Sequence, residues 1–222
     1  MGRLSKGLRW LLIAALIGAG LFPSGPASAD ASGPLDRWTV RSPVPTGYNY
    51  HNVIYAEGSF YAAGYGGTMI SSPDGESWRV LDTGVTDQLY ALAYGAGTWV
   101  AAGSGNQVLV SGDGNAWTSH AIGIPEVRSI AYGEELFVAV GASGMIATSG
   151  DGIDWDMQNS GVSSMLYGIA YGGDRFVAVG AGGTVLTSDD GIAWAPQTGG
   201  VTQQLNDVAY GGADGFVAAV VG

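Results

Sequence analysis

Residues 187–194 read Thr-Ser-Asp-Asp-Gly-Ile-Ala-Trp, which puts Asp189 and Asp190 side by side with Gly191 and Trp194 close behind. Adjacent carboxylates next to an aromatic ring could coordinate a divalent cation, or act as the acid and base of glycoside hydrolysis. The same grouping also suits a tight turn. Glycine accepts positive φ without strain, and a preceding aspartate can take up the free amides of the bend. Number of copies separates these readings, because one chemical site does not need the same residues four times.

The grouping recurs. Ser72-Pro-Asp74-Gly75 leads to Trp78, Ser111-Gly-Asp113-Gly114 to Trp117, Ser149-Gly-Asp151-Gly152 to Trp155, and Ser188-Asp-Asp190-Gly191 to Trp194. Trp38, Trp78, Trp117, Trp155 and Trp194 are spaced by 40, 39, 38 and 39 residues. A column of tyrosines (Tyr55, Tyr94, Tyr132, Tyr171, Tyr210) keeps step with it, as does a column of Phe60, Trp99, Phe137, Phe176 and Phe216. The chain is a tandem array, and the aspartates read as structural turns rather than as a reactive or metal-binding site. Neither the EF-hand pattern nor the calcium-binding nonapeptide is present.

The element that carries each turn follows from one unit, residues 166–204. "YGIAYG" and "FVAVG" are short β-favouring runs joined by a glycine turn, "TVLTS" follows, and after the Asp-Gly turn "IAWAPQT" reads as a fourth strand. Phe176-Val177-Ala178-Val179 is apolar on both alternating sets, so its sheet should be covered on both faces. Four short antiparallel strands per repeat, each sheet packed between neighbours, describe the blade of an all-β propeller. Four full units are expected, at about 48–86, 87–124, 125–163 and 164–202, within a repeat domain spanning 36–222.

The repeated turn resembles the Asp-box, or bacterial neuraminidase repeat, of sialidase-like and photosystem assembly-factor-like propellers. Three copies place Asp directly before Gly. Only Thr187-x-Asp189-x-Gly191-x-x-Trp194 also fits the usual spacing, with one residue between them. The resemblance covers residues 36–222 and implies that the turn lies between the third and fourth strands of each blade, away from the usual ligand face. A sialidase of this kind would further need an arginine triad, a Tyr–Glu nucleophile pair and an acid/base Asp. The arginines beyond the first 29 residues are Arg37, Arg41, Arg79, Arg128 and Arg175, and only Arg128 is expected on the ligand face.

The ends of the array are uneven. "DRWTVRSP" at 36–43 matches only a fourth strand, and "LNDVAYGGADGFVAAVVG" supplies only the first two strands of a fifth unit. Val220 stands where the other units have Gly64, Gly103, Gly141 and Gly180. An incomplete or five-bladed array is expected, with self-association through the incomplete blade.

Residues 1–29 read as a signal peptide: Arg3, Lys6 and Arg9, then an apolar run from Trp10 to Phe22, then Ala27-Ser28-Ala29 before Asp30. Residues 30–35 make a short linker. Without the leader, five basic residues face 19 acidic ones, a formal −14 with no lysine. That balance disfavours nucleic acid and anionic membrane surfaces. With no cysteine, stability must come from packed sheet.

The ligand face of a propeller is formed by the loops entering the first strand and those joining the second to the third. The column there is His51, Tyr90, Arg128, Tyr167 and Asn206, near Tyr48, Tyr50, Gln88, Glu126, Gln203 and Gln204, with Tyr65, Ser104, Asn106 and Ser143 from the other loops. Such an aromatic and amide-rich mouth suits a carbohydrate or a peptide. No cofactor pattern is present, and His51 and His120 fall at different points of the repeat, which argues against zinc. The expected function is that of a secreted, non-enzymatic binding module for a glycan or protein. A sialidase-like glycoside hydrolase and a structural fragment of a larger surface protein are the alternatives.

Overall fold

The computed structural model describes residues 12–14, 49–198 and 200–220. The expected linker, the 36–43 segment and most of the leader lie outside them. Among the described residues no helix is long and apolar enough to cross a membrane.

Strand β1 (Leu12–Ala14) precedes the repeats. The first blade is built from β2 (Tyr50–Ala56), β3 (Ser59–Gly64), β4 (Met69–Ser72) and β5 (Arg79–Leu81). The second comprises β6 (Leu89–Gly95), β7 (Thr98–Gly103), β8 (Gln107–Ser111) and β9 (Thr118–Ala121). The third has β10 (Val127–Gly133), β11 (Leu136–Gly141), β12 (Ile146–Ser149) and β13 (Asp156–Gln158). The fourth has β14 (Leu166–Gly172), β15 (Arg175–Gly180), β16 (Val185–Ser188) and β17 (Ala195–Gln197). Each is an antiparallel meander in chain order. The last sheet contains β18 (Leu205–Tyr210) and β19 (Phe216–Val220), antiparallel to each other, with β1 running parallel along the outer side of β19.

The expected doubly covered strands are present: Phe176, Val177, Ala178 and Val179 are all buried. Among the described residues four apolar clusters form, one at each junction between consecutive blades. At the third, Val138, Val140 and Ile146 of one blade meet Leu166, Ile169, Phe176 and Leu186 of the next. Blades meet chiefly through their first strands (β2 on β6, β6 on β10, β10 on β14, β14 on β18), which places these strands at the hub and the fourth strands at the rim.

The fourth strand starts later than its sequence suggests. Ile192, Ala193 and Trp194 lie outside β17, because the turn at Asp190 holds the amides of Ile192 and Ala193. The first blade also differs from the others. Val53 is 60% exposed, whereas its counterparts Leu92, Ile130, Ile169 and Val208 are buried.

Candidate functional site

Strand direction alternates, so each blade has two ends. The turns between first and second strands and those between third and fourth strands share one end. The entries to the first strands and the second-to-third loops share the other.

At the turn end each repeated aspartate is engaged by its own turn through Oδ1. Asp190 Oδ1 accepts from the amides of Ile192 (2.9 Å) and Ala193 (2.8 Å) and from the Ser188 hydroxyl (3.0 Å). Ser188 Oγ in turn accepts from the Gly191 amide at 2.8 Å. The same pattern is built by Asp74, Asp113 and Asp151. Gly75, Gly114, Gly152 and Gly191 all take φ between +70° and +80°. Donation from two backbone amides holds each of the four carboxyls below its ordinary pKa, that of Asp74 at about 2. The tryptophans close the turns: Trp78, Trp155 and Trp194 donate Nε1–H to the carbonyls of Gly75, Gly152 and Gly191. Trp117 Nε1 is buried without an acceptor.

The doublet that suggested chemistry is divided between two tasks. Asp190 makes the turn, while Asp189 accepts from Arg175 Nε at 2.7 Å. Among the described residues, no three His, Cys, Asp or Glu side chains converge as a metal site.

At the opposite end the predicted column comes together. Its members lie within the first strands rather than before them, each at an irregularity of pairing. Register steps from Tyr50 to Asn52, Leu89 to Ala91, Val127 to Ser129, Leu166 to Gly168 and Leu205 to Asp207. The residue passed over is in turn His51, Tyr90, Arg128, Tyr167 and Asn206. A bulge of this kind re-aims one side chain and bends its strand. The facing glycines make room for it: a Cβ on Gly103 would stand 1.7 Å from the Gln88 carbonyl oxygen, and one on Gly141 2.0 Å from that of Glu126.

Across the hub the first four of these side chains stack. The rings of His51 and Tyr90 are 5.0 Å apart, and the Arg128 guanidinium lies 4.4 Å from the Tyr90 ring centre and 5.9 Å from that of Tyr167. Glu126 forms an ion pair with Arg128. Tyr90 donates its hydroxyl to Gln88 Oε1 (2.7 Å), and Gln204 Nε2 donates to Asn206 Oδ1 (2.5 Å). Ser104 Oγ accepts from the Gln88 amide, and Gln107 Nε2 donates to Asp87, an acid that the sequence did not single out. Of the other described arginines, Arg79 bonds Ser71 and Asn115, and Arg175 bonds Asp189; both lie at strand starts near the turn end. His120 contacts Thr118 at the rim.

A family model described as the DUF6242 beta propeller domain matches residues 27–129. The chain is a β-propeller. Solved propellers agree in architecture. A structure of YCF48 bound to D1 peptide aligns with TM-score 0.64 at 18% identity, covering 80% of this chain and 62% of that one. YCF48 from Cyanidioschyzon merolae aligns with TM-score 0.59 at 17% identity, over 78% and 64%. The WD40 propeller domain of Doa1 aligns with TM-score 0.61 at 11% identity, over 78% and 62%. The chain thus spans less than two thirds of the length of each. No curated protein matches the sequence.

Proposed function

We propose that the protein is an exported, non-enzymatic interaction module that holds a peptide segment of another protein across the bulge row of its hub. The row itself carries this reading. One backbone device, repeated in every blade, carries five polar or aromatic side chains of four kinds, and those from His51 to Tyr167 stack in a row. Sugar recognition uses open aromatic faces, but the Tyr90 ring is already packed by His51 and Arg128. The groups left are edges and heads: the Tyr167 hydroxyl, the Asn206 and Gln204 amides, and the His51 ring nitrogens. These match the donors and acceptors of an extended peptide. The YCF48 neighbour, whose structure carries a peptide, supports the reading by analogy of fold. Export rests on the leader-like residues 1–29.

The test is peptide display against the purified protein, with a glycan array and fluorogenic glycosides in parallel. The expected outcome is peptide enrichment that is lost on replacing both Tyr167 and Asn206 by Ala. Glycan binding without peptide binding, or glycoside turnover lost on a single carboxylate change, would overturn the proposal.

A further inference from the structure

The contact that joins one blade to the next is itself a repeated unit. The tyrosine near the end of each first strand lies against an aromatic ring of its own blade, as Tyr132 does on Phe137 and Tyr171 on Phe176. It also covers a glycine of the preceding blade. A Cβ on Gly95 would stand 2.1 Å from the Tyr132 ring, one on Gly133 2.2 Å from that of Tyr171, and one on Gly172 2.2 Å from that of Tyr210. Twice the hydroxyl reaches the preceding turn as well, Tyr94 donating to Glu57 and Tyr171 to Glu134. Beside the ring, second-strand side chains meet the next blade, as Val177 and Val179 meet Leu205 and Val208.

The first blade and the last sheet each keep one half of this contact. In the first blade Tyr55 lies on Phe60 and is 62% exposed, and Val53 on the same face is 60% exposed. In the last sheet Gly211, next in the glycine series, is exposed. So are Val217 (40%) and Ala219, which stand where the fourth blade has the buried Val177 and Val179. The two halves do not satisfy each other within one chain, because β2 and β18 do not pack together as consecutive hub strands do. Grouped exposed apolar residues of this kind mark an interaction site. The complement of each face is the other face, since the same pairing is made four times inside the chain.

We propose that Val53 and Tyr55 of one copy dock on Gly211, Val217 and Ala219 of a second copy, so that chains join head to tail through a further blade junction. Two different patches meet, so the assembly closes as a ring or grows as an open row according to the rotation at the junction. It uses sheet faces rather than the edge of the incomplete blade, and it does not depend on the peptide reading. The test is sedimentation of the purified protein over a concentration series, with Val53→Asp, Val217→Asp and an equimolar mixture of the two. The expected result is concentration-dependent association that each variant weakens about tenfold or more, because a carboxylate would be buried against an apolar face. Both positions are exposed, so both variants should fold, as circular dichroism checks. The mixture should recover one junction, between the intact first blade of one variant and the intact last sheet of the other, and stop at a dimer. The chain has no cysteine, so a Tyr55→Cys copy oxidised with a differently tagged Gly211→Cys copy should form the mixed disulfide in preference to either homodimer. A monomer at every concentration, association untouched by either Asp variant, no dimer in the mixture, or homodimeric disulfides in preference to the mixed one overturns the proposal.

Discussion

The two ends of the blades use repetition in opposite ways. At the turn end four copies keep the same residues and make the same hydrogen bonds, from Ser72 and Asp74 through Ser188 and Asp190. At the bulge end the backbone irregularity is kept in all five units while the residue on it changes from His51 to Tyr90, Arg128, Tyr167 and Asn206. Where backbone and side chain repeat together, the side chain serves the backbone. Where only the backbone repeats, the side chain is free to differ from blade to blade. Aspartates that looked chemical are therefore architectural, and the mixed column is the place to look for a ligand.

The sharpest way to break this comparison is to attack the backbone of the bulge itself. Gly141→Val places a side chain where even a Cβ would lie 2.0 Å from the Glu126 carbonyl oxygen. Overpacking against main chain should cost about 3 kcal/mol or more and leave little folded protein. Val220→Gly, at the matching site of the last blade, should cost less, about 1–2 kcal/mol, because it removes a partly buried side chain packed on the fourth junction cluster but drives nothing into the main chain. Thermal unfolding of the two variants checks both, and a Gly141→Val protein as stable as the parent would remove the structural basis of the row.

Next in size are the turn residues. Trp194 packs on the third junction cluster and donates to Gly191, so Trp194→Ala should cost about 2–3 kcal/mol, the ring being only partly buried. Asp190→Ala loses three hydrogen bonds at a solvent-screened site, for which about 1 kcal/mol is expected. Chemical denaturation would rank the pair, and the reverse order would mean that the carboxylate, not the ring, holds the turn.

The same turns predict a pH dependence. Their folded carboxyls titrate below the unfolded value of about 3.9, that of Asp74 at about 2. The stability they contribute is complete above the unfolded value and lost as pH falls from about 4 towards 2. Melting temperature measured across that interval should drop, and Asp190→Ala should shallow the slope because one depressed group is gone. A flat profile in the parent would show that the amide bonds do not favour the ionised form.

Much of this architecture was legible in advance. Columns of Trp, Tyr and Phe at a spacing of 38–40 residues led to the blades, and runs such as Phe176–Val179 to their double burial. The start of the fourth strand was not legible. Ile192, Ala193 and Trp194 alternate like a strand, but two of their amides are captured by a carboxylate that pattern reading treats as part of the bend. The bulges were hidden for a different reason: an extra residue shows only when two strands are paired. A trace was nevertheless present in Gly64, Gly103, Gly141 and Gly180, which recur at the end of the second strand, where the lack of a Cβ admits the carbonyl entering the first strand. The ladder from His51 to Tyr167 was out of reach altogether, because spacing along the chain says nothing of whether neighbouring rings lean together or apart.

The smallest expected effect on folding is the most telling for function. Tyr167 is half-buried at the hub, and its one described stacking partner is Arg128 at 5.9 Å. Tyr167→Ala removes a half-buried ring and its stack with Arg128 of the preceding blade but drives nothing into the main chain, so stability should fall by no more than about 1 kcal/mol. If the row is a recognition surface, the same change should weaken peptide capture well beyond what stability explains. Tyr167→Phe, which keeps the ring and deletes the hydroxyl, then separates stacking from hydrogen bonding: retained capture assigns the ring, and lost capture assigns the hydroxyl. Should Tyr167→Ala instead unfold the protein while leaving the capture of the surviving fraction intact, the mixed column would be architecture too, and the contrast between the two ends of the blade would collapse.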